Sequence, residues 1–203
     1  PERARWAASV SSGHIGRARW LATDEATRDR RDVVLELPMV MHNPGRAFPL
    51  ADRLVSAAEQ EAVTRNTESD EREVEELRTA MGVGGTGKGA VAAGRGAAGA
   101  VKELEKAQKS RRTRSTRDSL DLALVDLAGF YRDALMAGLG VTTVSPVHPD
   151  KAAESARLGG HYRPASVLRA IEAIQECRSA IEVNVKPKFA VSAMVGAIRE
   201  ALV

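Results

Sequence analysis

The chain has 203 residues, of which 43% are hydrophobic and 28% charged, so its length and composition fit one or two globular domains. Cys177 is the only cysteine, which excludes an intramolecular disulfide and a cysteine-rich zinc site and is typical of a cytoplasmic protein. No stretch approaches the roughly 18 continuous apolar residues that a membrane span needs. Alanine and leucine are abundant and aromatic residues make up only 3%, which predicts an all-α fold.

The first predicted elements are two or three short helices within residues 2–37. Asp24 is placed to cap one of them, because its side chain can accept a hydrogen bond from the first turn. We expect the last of these helices to end before Pro38, since the residue before a proline resists helical geometry. Further prolines and an Asn-Pro-Gly turn follow and indicate a boundary. The predicted organisation is a first domain over residues 1–40, a linker over 41–48 and a second domain over 49–203.

The second predicted domain opens with a helix at Pro49 or Leu50 that becomes strongly acidic. Residues 59–77 carry eight acidic residues against two arginines, a net charge of −6, and residues 102–117 carry seven basic residues against two glutamates, a net charge of +5. Between them lies a glycine-rich segment, residues 82–100, whose glycines are expected to interrupt any helix. This pattern predicts an antiparallel hairpin of two helices with complementary charged faces.

Apolar side chains recur at helical spacing through the rest of the chain. The first stripe, which extends the basic helix, consists of Leu120, Leu124, Leu127, Tyr131 and Leu135. A short helix is expected from Asp150 to the Gly159–Gly160 pair, a longer one from Pro164, and a last one after a break at residues 184–187. Together these elements predict a bundle of about five helices over residues 49–203.

Residues 82–89 match GxxxxGK, the beginning of a phosphate-binding loop. A working loop of this kind follows a strand, opens a helix and has a Ser or Thr after the lysine to hold magnesium. Here an acidic helix precedes the motif, and Gly89 follows Lys88. We therefore expect a connector rather than a nucleotide site, and keep a P-loop NTPase only as a hypothesis to be tested.

The basic run supplies four candidate nucleic-acid contacts, Lys109, Arg111, Arg112 and Arg114. Such residues bind phosphates electrostatically, with a strong dependence on salt. No aromatic residues are interleaved for stacking on bases, so a solvent-exposed helix face is the simpler interpretation. A nucleic-acid-binding module centred on residues 102–117 is the alternative function.

Catalytic and metal-binding chemistry is not indicated by the sequence. The four histidines lack metal-ligand spacing and are expected to be surface or capping residues, and Cys177 is expected to be a buried structural thiol. No pair of carboxylates lies in an identifiable apolar pocket. The sequence therefore nominates no catalytic residue and no metal ligand, and it implies no cofactor.

Four segments of the chain resemble one known family. They are RWAASVSSGHIGRARWLATDEATRDRR, ELRTAMGVGGTGKG, KELEKAQKSRRTRSTRDSLDLALVDLAGFYRDAL and NVKPKFAVSAMVGAIR. The first resembles the helical lid of AAA+ clamp-loader subunits, and the others resemble the C-terminal region of the delta-prime subunits of bacterial DNA polymerase III, in their actinobacterial form. The likeness covers essentially the whole chain, and the order of the segments is more specific than GHIGRA alone.

The resemblance implies a fragment of a longer protein, because the family's nucleotide-binding domain would precede Pro1. Residues 1–40 would be the end of the lid domain, and residues 49–203 would be the collar domain that joins clamp-loader subunits into a ring. The fragment would be non-catalytic, and its partners would be the tau/gamma and delta subunits, with primed DNA reached through the assembled complex.

The lid motif departs from that of ATP-hydrolysing relatives, in which an arginine that reads the nucleotide follows the pattern G-x-x-R. Counted from Gly13, the arginine position holds Gly16, and Arg17 lies one residue later, about 100° around a helix. This implies a subunit that does not hydrolyse ATP. The alternative is that the two glycines permit close helix packing while Arg17 and Arg19 are solvated.

The C-terminal segment supplies the candidate subunit-interface residues. It departs from the usual family pattern at residues 186 and 189–192, so the details of the contact do not follow from the resemblance. The candidates are Asn184, Pro187, Phe189, Met194 and Ile198.

Overall fold

The structure is a computed structural model that describes residues 1–11, 13–82 and 90–203, with side chains described from Ala97 onward after the second gap. Within these residues the chain forms eight α-helices, one 3₁₀ turn and no strand, which confirms the predicted all-α fold. The α-helices are α1 (Glu2–Ser9), α2 (Ile15–Thr23), α3 (Glu25–Val40), α4 (Pro44–Ala80), α5 (Ala90–Gly138), α6 (Ala152–His161), α7 (Pro164–Glu182) and α8 (Pro187–Ala201). Five of them begin within or extend into residues 49–203, as the sequence predicted.

Three helices form the first 40 residues, and the predicted cap of α3 is confirmed. The Asp24 carboxylate accepts a hydrogen bond from the backbone amide of Thr27 at 3.0 Å. The predicted helix end before Pro38 is wrong, because α3 continues through Pro38 to Val40. Leu37 and Val40 are buried, and the packing of this face offsets the backbone hydrogen bond that the proline removes.

The start of α4 also differs from the prediction. The helix begins at Pro44, a position where the missing amide hydrogen costs nothing, and not at Pro49 or Leu50. The amides of Arg46 and Ala47 bond to the carbonyl oxygen of Asn43 at 3.1 and 2.9 Å and close the first turn. The predicted linker therefore holds a short turn and the beginning of α4.

The glycines near the start of α5 do not break the helix. The helix begins at Ala90 and includes Gly94, Gly96 and Gly99, so the expectation that these glycines interrupt any helix is wrong. Six alanines lie among residues 90–101, and alanine has the highest helix propensity, which compensates for about 1 kcal/mol per glycine. Residues 83–89, which contain Lys88 and most of the phosphate-loop pattern, lie outside the described residues.

A close backbone approach joins α5 to α6. A Cβ atom added to Gly138 would lie 2.6 Å from the carbonyl oxygen of Gly159, and one added to Gly159 would overlap the carbonyl oxygen of Ala134. Gly159 is therefore needed for packing and does not end the helix, which continues to His161. The predicted end at the glycine pair is wrong for this reason.

The contacts of the chain divide it into two compact units, residues 1–57 with 120–203, and residues 58–119. The predicted boundary at 41–48 differs from this division. It is inferred from proline content, which carries no information that α1–α3 belong to the same unit as the later helices. The predicted apolar stripe forms much of the core of the first unit. The largest fully buried apolar side chains there are Leu21, Leu37, Leu54, Leu120, Leu124, Leu127, Phe130, Tyr131, Ile174 and Ile198.

Candidate functional site

The basic run of α5 faces the acidic segment of α4 within residues 58–119. The guanidinium group of Arg111 donates to both carboxylate oxygens of Glu73, at 2.9 and 2.7 Å, and also pairs with Asp70. Arg112 donates through Nε to the second oxygen of Asp70 at 2.7 Å. These ion pairs confirm the predicted hairpin with complementary charges.

The ion pairs change the electrostatic character of the candidate nucleic-acid residues. Hydrogen bonds from Arg111, then from Gln108, lower the pKa of the Glu73 carboxyl to about 2. The hydrogen bonds that Arg111 makes to Glu73 and then to Asp70 raise the pKa of Arg111 above its usual value. Both groups are therefore charged and paired at neutral pH, and the attraction of Arg111 for an external phosphate is reduced.

The other two candidates, Lys109 and Arg114, are exposed. Lys109 lines a groove of about 820 Å³ whose walls also carry Glu71, Glu75 and Glu105. The surface around Lys109 is therefore mixed in charge, and the four candidates do not form one continuous basic face.

Buried polar side chains fix the register of the hairpin. Gln108 donates to the backbone carbonyl of Asp70 at 2.9 Å, Asn66 lies opposite Ser115 at 3.4 Å, and Ser119 donates to Glu61 at 2.8 Å. The partner number on α5 falls as the number on α4 rises, so the two segments are antiparallel. A shift by one residue would separate these partners, and polar groups left buried without partners are costly.

The residues of the predicted lid motif are divided between the surface and the interior of the first unit. Gly13 adopts a left-handed backbone conformation with φ of +81°, and a Cβ added there would meet nothing. His14 caps α2 by accepting a hydrogen bond from the Arg17 amide at 3.0 Å, and a Cβ on Gly16 would lie 3.2 Å from its ring. Arg19 is exposed.

Arg17 is not solvated, so the alternative that placed it in solvent is wrong for this residue. Its guanidinium group forms an ion pair with Asp126 on α5, and the two side chains are only 11% and 7% exposed. Burial, together with the charges of Arg31 and Arg30, lowers the pKa of Arg17 to about 10. Arg17 is thus a packing residue that connects α2 to α5.

A second buried arginine connects α3 to the 3₁₀ turn formed by Pro149–Lys151. Arg31, whose side chain is 1% exposed, binds both oxygens of the Asp150 carboxylate at 2.9 and 2.8 Å. Trp6 donates to the same carboxylate at 3.2 Å, and the Arg31 guanidinium lies 5.4 Å from the centre of the Trp6 ring. Burial alone would raise the pKa of Asp150, but the hydrogen bonds and charge of Arg31 outweigh it and keep that pKa below its usual value.

His148 completes the buried cluster, so its expected surface location is wrong. Its ring is 1% exposed, accepts at Nδ1 from Arg31 at 3.1 Å and donates at Nε2 to the carbonyl oxygen of Asp126 at 2.9 Å. The Asp133 carboxylate accepts a hydrogen bond from the backbone amide of His148 at 2.9 Å. Gly129 has no side chain and leaves room for the His148 ring. Burial, then the charge of Arg31, lowers the pKa of His148 to about 4, so the ring is neutral at pH 7.

The candidate interface residues at the C-terminus lie in the turn between α7 and α8 and along α8. Asn184 has φ of +72° in this turn, and Pro187 begins α8. Phe189 is 63% exposed, whereas Met194 is buried at the floor of a groove between the two helices. Ile198 is 0% exposed and packs in the core, so its side chain is not available to a partner.

Cys177 lies on the same groove floor and is 4% exposed, which confirms the prediction of a buried thiol. Burial raises the pKa of its thiol to about 12, so the reactive thiolate is scarce at neutral pH. Among the residues that the structure describes, no three His, Cys, Asp or Glu side chains come together as metal ligands.

No helix within the described ranges is long and apolar enough to cross a bilayer. No protein-family model, no curated protein and no solved structure matches the chain.

Sequence reasoning missed the buried cluster of Arg31, Asp126, His148 and Asp150. Arg31 lies about a hundred residues before the other three, and the four residues show no shared spacing. The available signal was weak: two adjacent arginines on the inner side of an amphipathic helix, and a histidine directly before a Pro-Asp pair.

Proposed function

We propose that the chain is a non-catalytic assembly module, the lid remnant and collar of a replicative clamp loader of the DNA polymerase III type. The observation that carries the proposal is a cluster of exposed apolar side chains at the turn between α7 and α8. Val183, Val185 and Phe189 are 73%, 40% and 63% exposed in a unit whose other large apolar residues are mostly buried. Clustered exposed apolar side chains are typical of protein interfaces.

The position of this cluster supports the proposal, because it coincides with the C-terminal segment that resembles the family. Asn184 and Pro187 give the turn its shape, since one adopts a left-handed conformation and the other starts α8. The turn therefore presents Phe189 to solvent in a defined orientation. A rigidly presented aromatic residue is a common anchor in protein interfaces.

The pairing within the hairpin favours assembly over nucleic-acid binding. Arg111 and Arg112 are bound to acidic residues of the same chain, so binding an external phosphate would require breaking ion pairs. Lys109 and Arg114 retain exposed charge, as do Lys102 and Lys106, and these four residues are fewer than the roughly six to ten phosphate contacts of a strongly salt-dependent DNA-binding protein.

The test is to mix the chain with purified tau/gamma and delta subunits and to measure the mass of the assembly. We expect a defined hetero-oligomer that Phe189→Asp weakens by about ten-fold or more. Leu168→Asp is the matched control, because Leu168 is 47% exposed on α7 but lies away from the turn.

Two outcomes would contradict the proposal. Failure to assemble, together with tight and strongly salt-dependent DNA binding, would support the nucleic-acid module instead. Tight binding of ATP and Mg²⁺ that Lys88→Ala abolishes would support the P-loop hypothesis.

A further inference from the structure

We propose that the groove between α7 and α8 receives an amphipathic helix of a different protein, which carries a lysine or arginine that pairs with Glu176. This inference rests on the proposed assembly function and assigns it a surface and a partner chemistry. The groove lies wholly within the first compact unit.

The lining of the groove is apolar except for Glu176, and most of its side chains are small. Ala173, Cys177, Ala190 and Met194 form a buried floor, while Phe189, Ala193 and Ala197 project from α8 as an exposed stripe with a spacing of four residues. Alanines on both α7 and α8 allow the backbone of a bound helix to approach closely. Phe189 closes the end of the groove at the turn.

The dimensions of the groove suit a helix. The stripe from Phe189 to Ala197 spans eight residues, or about 12 Å along α8, which equals roughly two turns of a second helix lying alongside. The groove holds about 450 Å³, which is room for a few aliphatic side chains. Helix-in-groove recognition uses such anchors at i, i+4 and i+7.

The charge of Glu176 favours a helix from a different protein, and not a second copy of this chain, as the occupant of the groove. Glu176 is the only charged residue of the lining and lies about halfway along the α7 wall, between Ala173 and Ala180. In the part of the chain that the structure describes, no basic side chain pairs with it. If two copies paired groove to groove about a two-fold axis that crosses α7 near its middle, the two Glu176 carboxylates would face each other and repel. A cation on the visiting helix avoids this conflict.

The test uses two labelled 18-residue helical peptides and the full 203-residue chain. Both peptides have leucine and alanine at i, i+4, i+7 and i+11; one carries a central arginine beside this stripe and the other a glutamate. Fluorescence anisotropy should give a dissociation constant at least about three-fold lower for the arginine peptide. Glu176→Lys should reverse this preference.

A second pair of variants tests the location of binding. Ala193→Trp fills the groove and should weaken peptide binding by about ten-fold or more. Ala165→Trp is the matched control, because Ala165 is exposed on α7 outside the groove and should leave binding unchanged.

The inference is overturned if neither peptide saturates, if both bind equally, or if Ala193→Trp has no effect. A dimer of the chain in sedimentation that Ala193→Trp dissociates would identify a second copy as the occupant and would also overturn it. Assembly with clamp-loader subunits that Ala193→Trp leaves intact would reject the groove but keep the proposed function. Peptide binding as expected without any subunit assembly would keep the groove inference and reject the proposed function.

Discussion

At the scale of single residues, the main feature is a set of charges removed from water inside the first unit. Arg17 and Arg31 are each matched by one aspartate, and His148 lies between the two pairs. Buried ion pairs of this kind add little net stability, but the loss of one partner leaves an uncompensated buried charge and is strongly destabilising. The cluster therefore specifies how α2 and α3 join α5 and the 3₁₀ turn.

The first prediction concerns the pH dependence of stability that His148 produces. The folded-state pKa of about 4 lies below the ordinary 6.5, so between these values the unfolded chain binds a proton that the folded chain does not. This contribution to stability is complete above pH 6.5 and is lost as the pH falls towards 4. From pH 7 to pH 5, wild type should lose about 2 kcal/mol more unfolding free energy than His148→Gln.

Urea denaturation of both proteins at the two pH values measures this difference, and other titrating groups cancel in the comparison. The groups that face the ring are Arg31, Asp126, Asp133, Asp150 and Arg17. Equal losses for wild type and variant would show that His148 is not neutral and buried.

At the scale of elements, two contacts decide how helices pair: a backbone approach between α5 and α6, and a polar interface between α4 and α5. The first depends on the absence of side chains at Gly138 and Gly159. The second depends on Asp70, which is 3% exposed and accepts hydrogen bonds from two arginines.

Gly159→Ala should destabilise the chain by about 2–3 kcal/mol, because the new methyl group would overlap the Ala134 carbonyl and force α6 away from α5. Gly160→Ala is the matched control. A Cβ at that position meets nothing within 4 Å, so the change should be neutral or stabilise the helix by up to about 1 kcal/mol. Thermal melts of both variants measure the contrast, and equal melting temperatures would contradict the close approach.

Asp70→Asn should loosen the hairpin of residues 58–119, since it removes the charge that Arg111 and Arg112 share. We expect faster amide hydrogen exchange in this segment, equivalent to a loss of about 1–3 kcal/mol. Glu71→Gln changes the adjacent exposed acid and should leave exchange unchanged. Identical exchange in the two variants would show that the Asp70 pairs do not hold the hairpin together.

At the scale of the whole molecule, the chain consists of two compact units that differ in the chemistry of their interiors. The first has an extensive apolar core around Leu120, Leu124 and Leu127, while the second buries polar residues such as Asn66, Asp70 and Gln108. The first unit should therefore fold without the second.

Replacement of residues 58–119 by a flexible linker of about six residues tests this independence. Neighbouring antiparallel helices lie about 8–10 Å apart, so such a linker spans the gap between Ala57 and Leu120. We expect the shortened chain to keep a cooperative thermal transition by circular dichroism. A non-cooperative melt would show that the first unit needs the hairpin.

The all-α class, the stripe that begins at Leu120, the cap at Asp24 and the charge-paired hairpin were determined by the sequence alone. Each of these depends on local periodicity, propensity or net charge, which are properties of a short segment. Tertiary structure decided that α3 passes through Pro38, that Gly159 is a packing residue and that His148 is buried against Arg31 and Asp126. These outcomes depend on contacts between segments far apart in the chain, where packing and desolvation outweigh local preferences.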